Sequence, residues 1–191
     1  MSKAARESLF TIAYLVVGLA ASIAVGYFTF RQQFFQLPRP MLPFLVIGAT
    51  GALIYATVQM RGAGLAILMV VLLYLAQVAM TPPIRAATLA AGAIFAIPVG
   101  FAFLAGSYVQ KALSRFRIGR FVVMGVIVAV GYGLMMVLFL IRTHLDLQVK
   151  LVFRQALVGL KLGAAMGFGF ELVDLIGPRP KHQFDYDRPA V

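Results

Sequence analysis

Residues 159–177 read GLKLGAAMGFGFELVDLIG, a segment long and apolar enough to cross a bilayer that still carries three charged side chains. These are Lys161, Glu171 and Asp174, and the glycines stand at 159, 163 and 167. On membrane-insertion scales a charge at the centre of a helix costs roughly 2.5 to 3.5 kcal/mol, so this segment is marginal by itself. We therefore expect it to insert only as part of a helical bundle that receives its charges.

The composition of the whole chain indicates an integral membrane protein. Of its 191 residues 62% are hydrophobic and 12% are charged, and the mean hydropathy is +0.94. The net charge of +11 does not indicate nucleic-acid binding, because the basic residues are scattered between apolar runs instead of covering one face. The absence of cysteine excludes disulfides, thiolate metal sites and cysteine nucleophiles.

Six apolar stretches have the length of a membrane-spanning helix. They cover residues 9–30, 41–60, 62–80, 86–109, 121–141 and 156–176. The fold class expected is an all-α integral membrane protein, a compact bundle of six transmembrane helices. Residues 1–176 would form one transmembrane domain, and 177–191 a polar C-terminal tail that we expect to lie across a partner.

The loop charges predict that both termini are cytoplasmic, since cytoplasmic segments retain Lys and Arg. Ten basic residues then lie inside: Lys3, Arg6, Arg61, Lys111, Arg115, Arg117, Arg120, Arg179, Lys181 and Arg188. Six lie outside: Arg31, Arg39, Arg85, Arg142, Lys150 and Arg154. The basic segment 111–120 is expected to contact anionic lipid headgroups.

Small residues recur at every fourth position in five of the six stretches, which allows helix backbones to approach closely in lipid. The triples are Gly18, Ser22 and Gly26; Gly48, Ala52 and Ala56; Gly92, Ala96 and Gly100; Gly125, Ala129 and Gly133; and Gly159, Gly163 and Gly167. The leucine-rich third stretch has no such triple. We expect it to be the helix most exposed to lipid or to a partner.

The charged residues of the last stretch have different expected environments. At about 100° per residue the three glycines and Asp174 share one face, Glu171 lies at its margin, and Lys161 points the opposite way. Lys161 is expected to extend to the outer headgroups, and Asp174 to reach the interface near Arg179 and Lys181.

Glu171 needs a partner, and the candidates are Arg115, Arg117 and Arg120, at the cytoplasmic ends of the fourth and fifth stretches. A proton- or ion-coupling site and a site for a partner protein are the alternatives. Another alternative is that the last stretch lies in the plane of the membrane, because Lys150, Arg154 and Lys161 form a narrow stripe.

Catalytic motifs are missing from the sequence. His144 and Asp146 stand two residues apart and do not share a helix face, and there is no nucleophile elbow, phosphate-binding loop or zinc-protease motif. We expect no enzyme activity, no cofactor and no metal. The interior polar residues do not define a solute pocket. They are Ser22, Thr50, Tyr55, Tyr74, Gln77, Thr88 and Tyr132.

The function favoured by the sequence is a noncatalytic polytopic membrane protein, a structural or assembly subunit of a larger complex with other membrane protein subunits. The alternative is a transport component for a small or lipidic solute, with Glu171 as its polar coupling or binding group. The composition favours a bacterial inner membrane.

Overall fold

The computed structural model describes residues 3–30, 38–60, 63–80, 85–113 and 119–176, and these residues form six α-helices without a strand. The helices are α1 (Lys3–Phe30), α2 (Pro38–Met60), α3 (Ala63–Ala79), α4 (Ala86–Ala112), α5 (Arg120–Arg142) and α6 (Val149–Ile176). The all-helical class is confirmed within this part of the chain. The tail 177–191 lies outside the described residues.

Five of the six described helices are long and apolar enough to cross a membrane, which indicates a multi-pass membrane protein. The exception is α3, which has 17 residues and at 1.5 Å per residue is about 25 Å long, short of the roughly 30 Å of bilayer hydrocarbon. This helix ends at Ala79, one residue before the end of the expected span 62–80, and residues 61–62 lie outside the described residues. Met80 forms a turn, and the prolines at 82 and 83 disfavour helix in the residue before them.

The five long helices form a closed ring in which each packs on two neighbours, in the order α1, α2, α4, α5, α6 and back to α1. The helix α3 lies outside this ring, against α2 and α4. The core inside the ring contains the fully buried side chains of Tyr14, Tyr55, Phe103, Met166 and Phe170. The ring thus brings residues that are distant in sequence together at its centre.

Helices α5 and α6 are joined by the glycine face of α6. A Cβ added at Gly159 would lie 2.8 Å from the Val128 carbonyl oxygen, and one at Gly163 would lie 2.8 Å from the Met124 carbonyl oxygen. Gly167 abuts the backbone of Phe121. Only a residue without a side chain permits this approach. Successive glycines along α6 contact successively earlier residues of α5, so the two helices run antiparallel.

The small residues of α1 and α2 face each other in the same way. A Cβ added at Gly18 would lie 2.6 Å from the Gly48 carbonyl oxygen and 2.7 Å from the Ala52 Cβ. Ser22 is fully buried beside Gly48, and its hydroxyl donates to the Gly18 carbonyl oxygen at 2.8 Å. Gly26, the third member of the α1 triple, is also buried. Backbone contact therefore extends along this pair of helices.

The small residues of the α4 triple pack against α3. A Cβ at Gly92 would lie 2.8 Å from Val78 Cγ2, and one at Gly100 would lie 2.7 Å from Val70 Cγ1, while Ala96 between them is fully buried. The small residues of α4 thus receive the branched side chains of α3, which explains how α3 packs without a triple of its own.

The α5 triple contributes unevenly to the packing. Gly125 approaches Ala164 and the Leu160 carbonyl oxygen at 3.1 Å, whereas Gly133 has ordinary contacts and Ala129 is only partly buried. The tightest position on α5 is instead Gly131, where an added Cβ would lie 2.8 Å from the Pro98 carbonyl oxygen of α4. The fourfold pattern did not identify this residue.

Candidate functional site

The two carboxylates of α6 are in the C-terminal part of that helix, and they lie inside the corresponding end of the bundle. Glu171 is 3% exposed, and Asp174, one turn further on, is partly exposed. Because residues three apart are neighbours on a helix surface, both carboxylates reach one region between α6 and the adjoining helices. They form the centre of an ionic cluster that we define as Tyr14, Tyr55, Gln110, Arg120, Glu171 and Asp174.

Arg120 supplies the guanidinium group of this ionic cluster. Its Nε lies 3.6 Å from Glu171 Oε1, and an Nη lies 3.8 Å from Asp174 Oδ2. The other Nη donates to the Gln110 carbonyl oxygen at 3.3 Å. Arg120 is the first residue of α5, and Gly119 before it has a φ of +98°, which glycine adopts without strain. That turn directs the side chain of Arg120 inward.

Asp174 accepts hydrogen bonds from two tyrosines. The hydroxyl of Tyr14 donates to Oδ1, and that of Tyr55 donates to Oδ2 at 2.8 Å. Their rings pack around Phe170 of α6, with Tyr55 stacked on it at 4.4 Å between centroids and Tyr14 edge-on at 5.6 Å. The aromatic rings therefore shield the carboxylate and fix both hydroxyl groups.

The end of α4 completes the arrangement. The Gln110 side-chain amide is fully buried and donates to the Gly167 carbonyl oxygen at 3.2 Å. Beside it, Lys111 Nζ donates to the Val58 carbonyl oxygen at 2.7 Å and so joins α4 to α2. With Tyr14 on α1 and Tyr55 on α2, each of the five ring helices contributes a side chain to the ionic cluster.

Two carboxylates face one guanidinium in the ionic cluster. The 3.6 Å between Arg120 Nε and Glu171 Oε1 is within ion-pair range but too long for a hydrogen bond. Among the described residues Arg120 Nε, Glu171 Oε1 and Gln110 Oε1 have no hydrogen-bond partner. Glu171 is therefore held by a loose ion pair alone, whereas Asp174 accepts two tyrosine hydrogen bonds besides its ion pair with Arg120 at 3.8 Å.

The structure brings one of the three candidate partners of Glu171 to it. That residue is Arg120, while Arg115 and Arg117 lie outside the described residues. Lys161 is exposed, as the helical wheel predicts. Asp174 has neighbours that the sequence did not predict, namely the two tyrosines and Arg120 within the bundle. Its position on the glycine face turns it toward α1, and Arg179 and Lys181 are not described.

The two ends of the basic segment 111–120 have partners within the bundle, and residues 114–118 lie outside the described residues. Lys111 and Arg120, its first and last residues, both direct their charged groups to acceptors within the bundle. At the opposite end of the bundle His144 and Asp146 are exposed in the α5–α6 connection. No group of three His, Asp or Glu residues in the described ranges could hold a metal ion.

Tyr14 and Gln110 are cluster residues that the sequence analysis missed. Tyr14 stands four residues before Gly18, so it continues the small-residue face of α1 by one turn. Its position on that face is the signal that could have identified it, because a polar residue on a tightly packed face must find a partner inside the bundle.

The long apolar helices indicate a multi-pass membrane protein, and the ionic cluster gives it a buried network of charged and polar groups. No protein-family model, no curated protein and no solved structure matches the chain. The function therefore has to be inferred from the residues themselves.

Proposed function

We propose that the chain is a noncatalytic, structural or assembly subunit of a membrane complex, located in a bacterial inner membrane with both termini in the cytoplasm. The observation that carries this proposal is the composition of the ionic cluster. Each helix of the ring supplies a group to it, and the two carboxylates of α6 meet partners on the chain itself. Such an arrangement fixes helices relative to one another.

The energetics favour this structural role. Two carboxylates on one membrane-spanning helix cost several kcal/mol on insertion scales. A guanidinium and two tyrosine hydroxyls offset this cost only when α1, α2 and α5 are in position. The ionic cluster therefore makes the insertion of α6 depend on the assembled bundle.

The surface that we assign to a partner helix is the outer face of α3. Leu65, Leu68, Leu72 and Leu75 form one stripe along it, and each is at least 40% exposed. Because α3 lies outside the ring, its outer face is separate from the ionic cluster. A partner could dock there without disturbing the charges, which suits a subunit with a rigid frame.

The test is affinity purification of the intact chain in a mild detergent, followed by native electrophoresis. We expect a partner at a fixed stoichiometry, and we expect the double variant Leu68→Ala, Leu72→Ala to lose it. The matched control is Leu134→Ala, which changes a leucine 49% exposed on α5 and should retain the partner. A chain that migrates alone, or loss of the partner in the control as well, contradicts the proposal.

The second candidate is a transport component in which Glu171 couples or binds a small or lipidic solute. The excess of one carboxylate over the single guanidinium favours it, together with the buried acceptor at Glu171 Oε1. Glu171→Gln separates the two candidates in cells and in liposomes. Solute movement that survives the substitution supports the structural role, whereas intact assembly with lost solute movement supports transport.

A further inference from the structure

One face of α6 points away from the bundle along nearly the whole helix. While α6 packs against α5 and α1, seven of its exposed side chains fall within a sector of about 60° at about 100° per residue. We call these residues the exposed seam: Lys150, Arg154, Leu157, Lys161, Phe168, Leu172 and Leu175. The seam has three cations in its N-terminal half and apolar side chains in its C-terminal half.

Lys161 is the cation of the exposed seam that lies furthest from the end of the bundle. The glycines two residues before and two residues after it both meet Val128 of α5, so Lys161 is level with Val128. That level is about 12 Å from Arg120 and about 21 Å from Arg142 along α5, at about 1.5 Å per residue. Because α5 is long and apolar enough to cross a membrane, Lys161 stands within the membrane-crossing length of the bundle.

The charge of Lys161 is not neutralised by the chain itself. Among the described residues Lys161 makes no hydrogen bond and no ion pair. The residues one turn away on α6 are Leu157 and Val158 on one side and Ala164 and Ala165 on the other, so none offers a carboxylate. An ionisable side chain at membrane depth is costly unless it finds a partner. The counterion of Lys161 therefore belongs to another molecule.

A lipid headgroup suits the first two cations of the exposed seam better than it suits Lys161. Lys150 and Arg154 are one turn apart near the start of α6, whereas Lys161 lies about 10.5 Å beyond Arg154 along the axis. Both side chains tilt toward the N-terminus of their helix, so this separation persists at their charged groups. A phosphate level with Arg154 therefore leaves Lys161 without a counterion.

A second copy of the chain offers no matching carboxylate in its described residues. Glu171 and Asp174 are held in the ionic cluster. Glu7 lies in the first turns of α1, and Asp146 lies in the α5–α6 connection. In the described ranges, then, no acid stands on the outside of a helix at the level of Lys161. The chemistry favours a different protein as the partner.

We propose that the exposed seam binds a membrane-spanning helix of a different protein, which carries an aspartate or glutamate opposite Lys161. The carboxylate neutralises Lys161, and apolar side chains of the partner pack on Phe168, Leu172 and Leu175. This inference rests on the proposed role as a subunit of a membrane complex, but it concerns a separate surface. Because α3 packs on α2 and α4, it lies across the ring from α6, so the chain has a neighbour on each side.

Photocrosslinking of the full chain in its native membrane tests the occupant of the exposed seam. Phe168, 50% exposed, is replaced by benzoylphenylalanine, and the control is the same replacement of Phe139, 44% exposed on α5. We expect one membrane protein to crosslink at position 168 and not at the control position. Lys161→Leu should lower the yield at least about tenfold, as for loss of one partner of an interfacial charge pair. Lys161→Arg, which keeps the charge, should retain it.

A charge exchange identifies the counterion. The crosslinked protein, identified by mass spectrometry, should contain an acid within a membrane-spanning stretch. Replacing that acid by lysine should abolish the crosslink to the natural chain and restore it to the chain with Lys161→Glu. Capture of a protein that fails this exchange contradicts the proposal, as do crosslinks to lipid alone, crosslinks to a second copy, and a yield that Lys161→Leu does not change.

The two partner surfaces fail separately. Lys161→Leu should leave the partner on α3 in place, and the double variant Leu68→Ala, Leu72→Ala should leave the crosslink at position 168 in place. A chain that keeps its α3 partner but gives no protein crosslink at position 168 overturns only the present inference. A chain without an α3 partner that still shows the Lys161-dependent crosslink overturns only the assignment of the α3 surface.

Discussion

Replacing Arg120 by glutamine tests whether the ionic cluster holds the bundle together. The substitution leaves the buried Glu171 and the partly buried Asp174 at one end of α6 without their guanidinium. Removing one partner of a buried ion pair typically costs about 3 to 5 kcal/mol. The contacts at 3.6 and 3.8 Å are long, so we expect a loss of about 3 kcal/mol in the free energy of unfolding.

The same reasoning predicts that Glu171→Gln is much milder. That substitution leaves one guanidinium facing one carboxylate, and Asp174 keeps both tyrosine donors. We expect a loss of about 1 kcal/mol or less, as for a single weak polar contact. The difference of about 2 kcal/mol between the two variants corresponds to roughly a 30-fold change in the folded-to-unfolded ratio.

Equilibrium unfolding of the purified chain in mixed micelles, at increasing mole fraction of dodecyl sulfate, measures these differences. The matched control is Arg142→Gln, which removes an exposed arginine at the other end of α5 and should change stability by no more than about 0.5 kcal/mol. Equal losses of unfolding free energy for Arg120→Gln and Arg142→Gln would refute the inference that the ionic cluster stabilises the bundle.

Three further predictions concern packing and topology. Tyr132→Phe should raise the free energy of unfolding by about 1 kcal/mol by removing an unsatisfied hydroxyl, and a loss of that size would show that the hydroxyl is bonded. Gly159→Ala should lower the free energy of unfolding by about 1 to 3 kcal/mol, because its Cβ would lie 2.8 Å from a backbone oxygen. The control Gly133→Ala, whose added Cβ would have neighbours at 3.7 Å or more, should be nearly neutral in the same assay. Equal effects of the two substitutions would contradict this packing. In intact cells a membrane-impermeant maleimide should label Leu145→Cys but not Ala112→Cys, and the reverse pattern would show that the assumed orientation is inverted.

The sequence predicted the number and class of the described helices because apolar length and small-residue spacing are local signals. Helix ends were less accurate. The sequence predicted that the last helix begins at residue 156, whereas α6 begins at Val149. The first turns of α6 contain polar residues, which interrupt the apolar run but not the helix. The predicted end of α3 lay one residue too late. Met80 is apolar and so belongs to the apolar run, but it forms a turn after the helix has ended.

The candidate site was predictable only in part. Intramembrane charge draws attention to Glu171 in the sequence, and loop position made Arg120 one of three candidates for its partner. The two tyrosine bonds to Asp174 join residues separated by 160 and 119 positions, so no local pattern could indicate them. A cavity of about 350 Å³ beside Tyr132 was equally unpredictable from the sequence, since five helices contribute its wall.

The distribution of the cluster residues along the chain has a consequence for biogenesis. Both acids stand on α6, which the ribosome makes after the other five helices, so Arg120 enters the nascent bundle before either of its counterions exists. The half-made protein would hold an uncompensated arginine at the edge of the lipid. Arrival of α6 would supply both counterions at once and so complete the charge balance of the bundle.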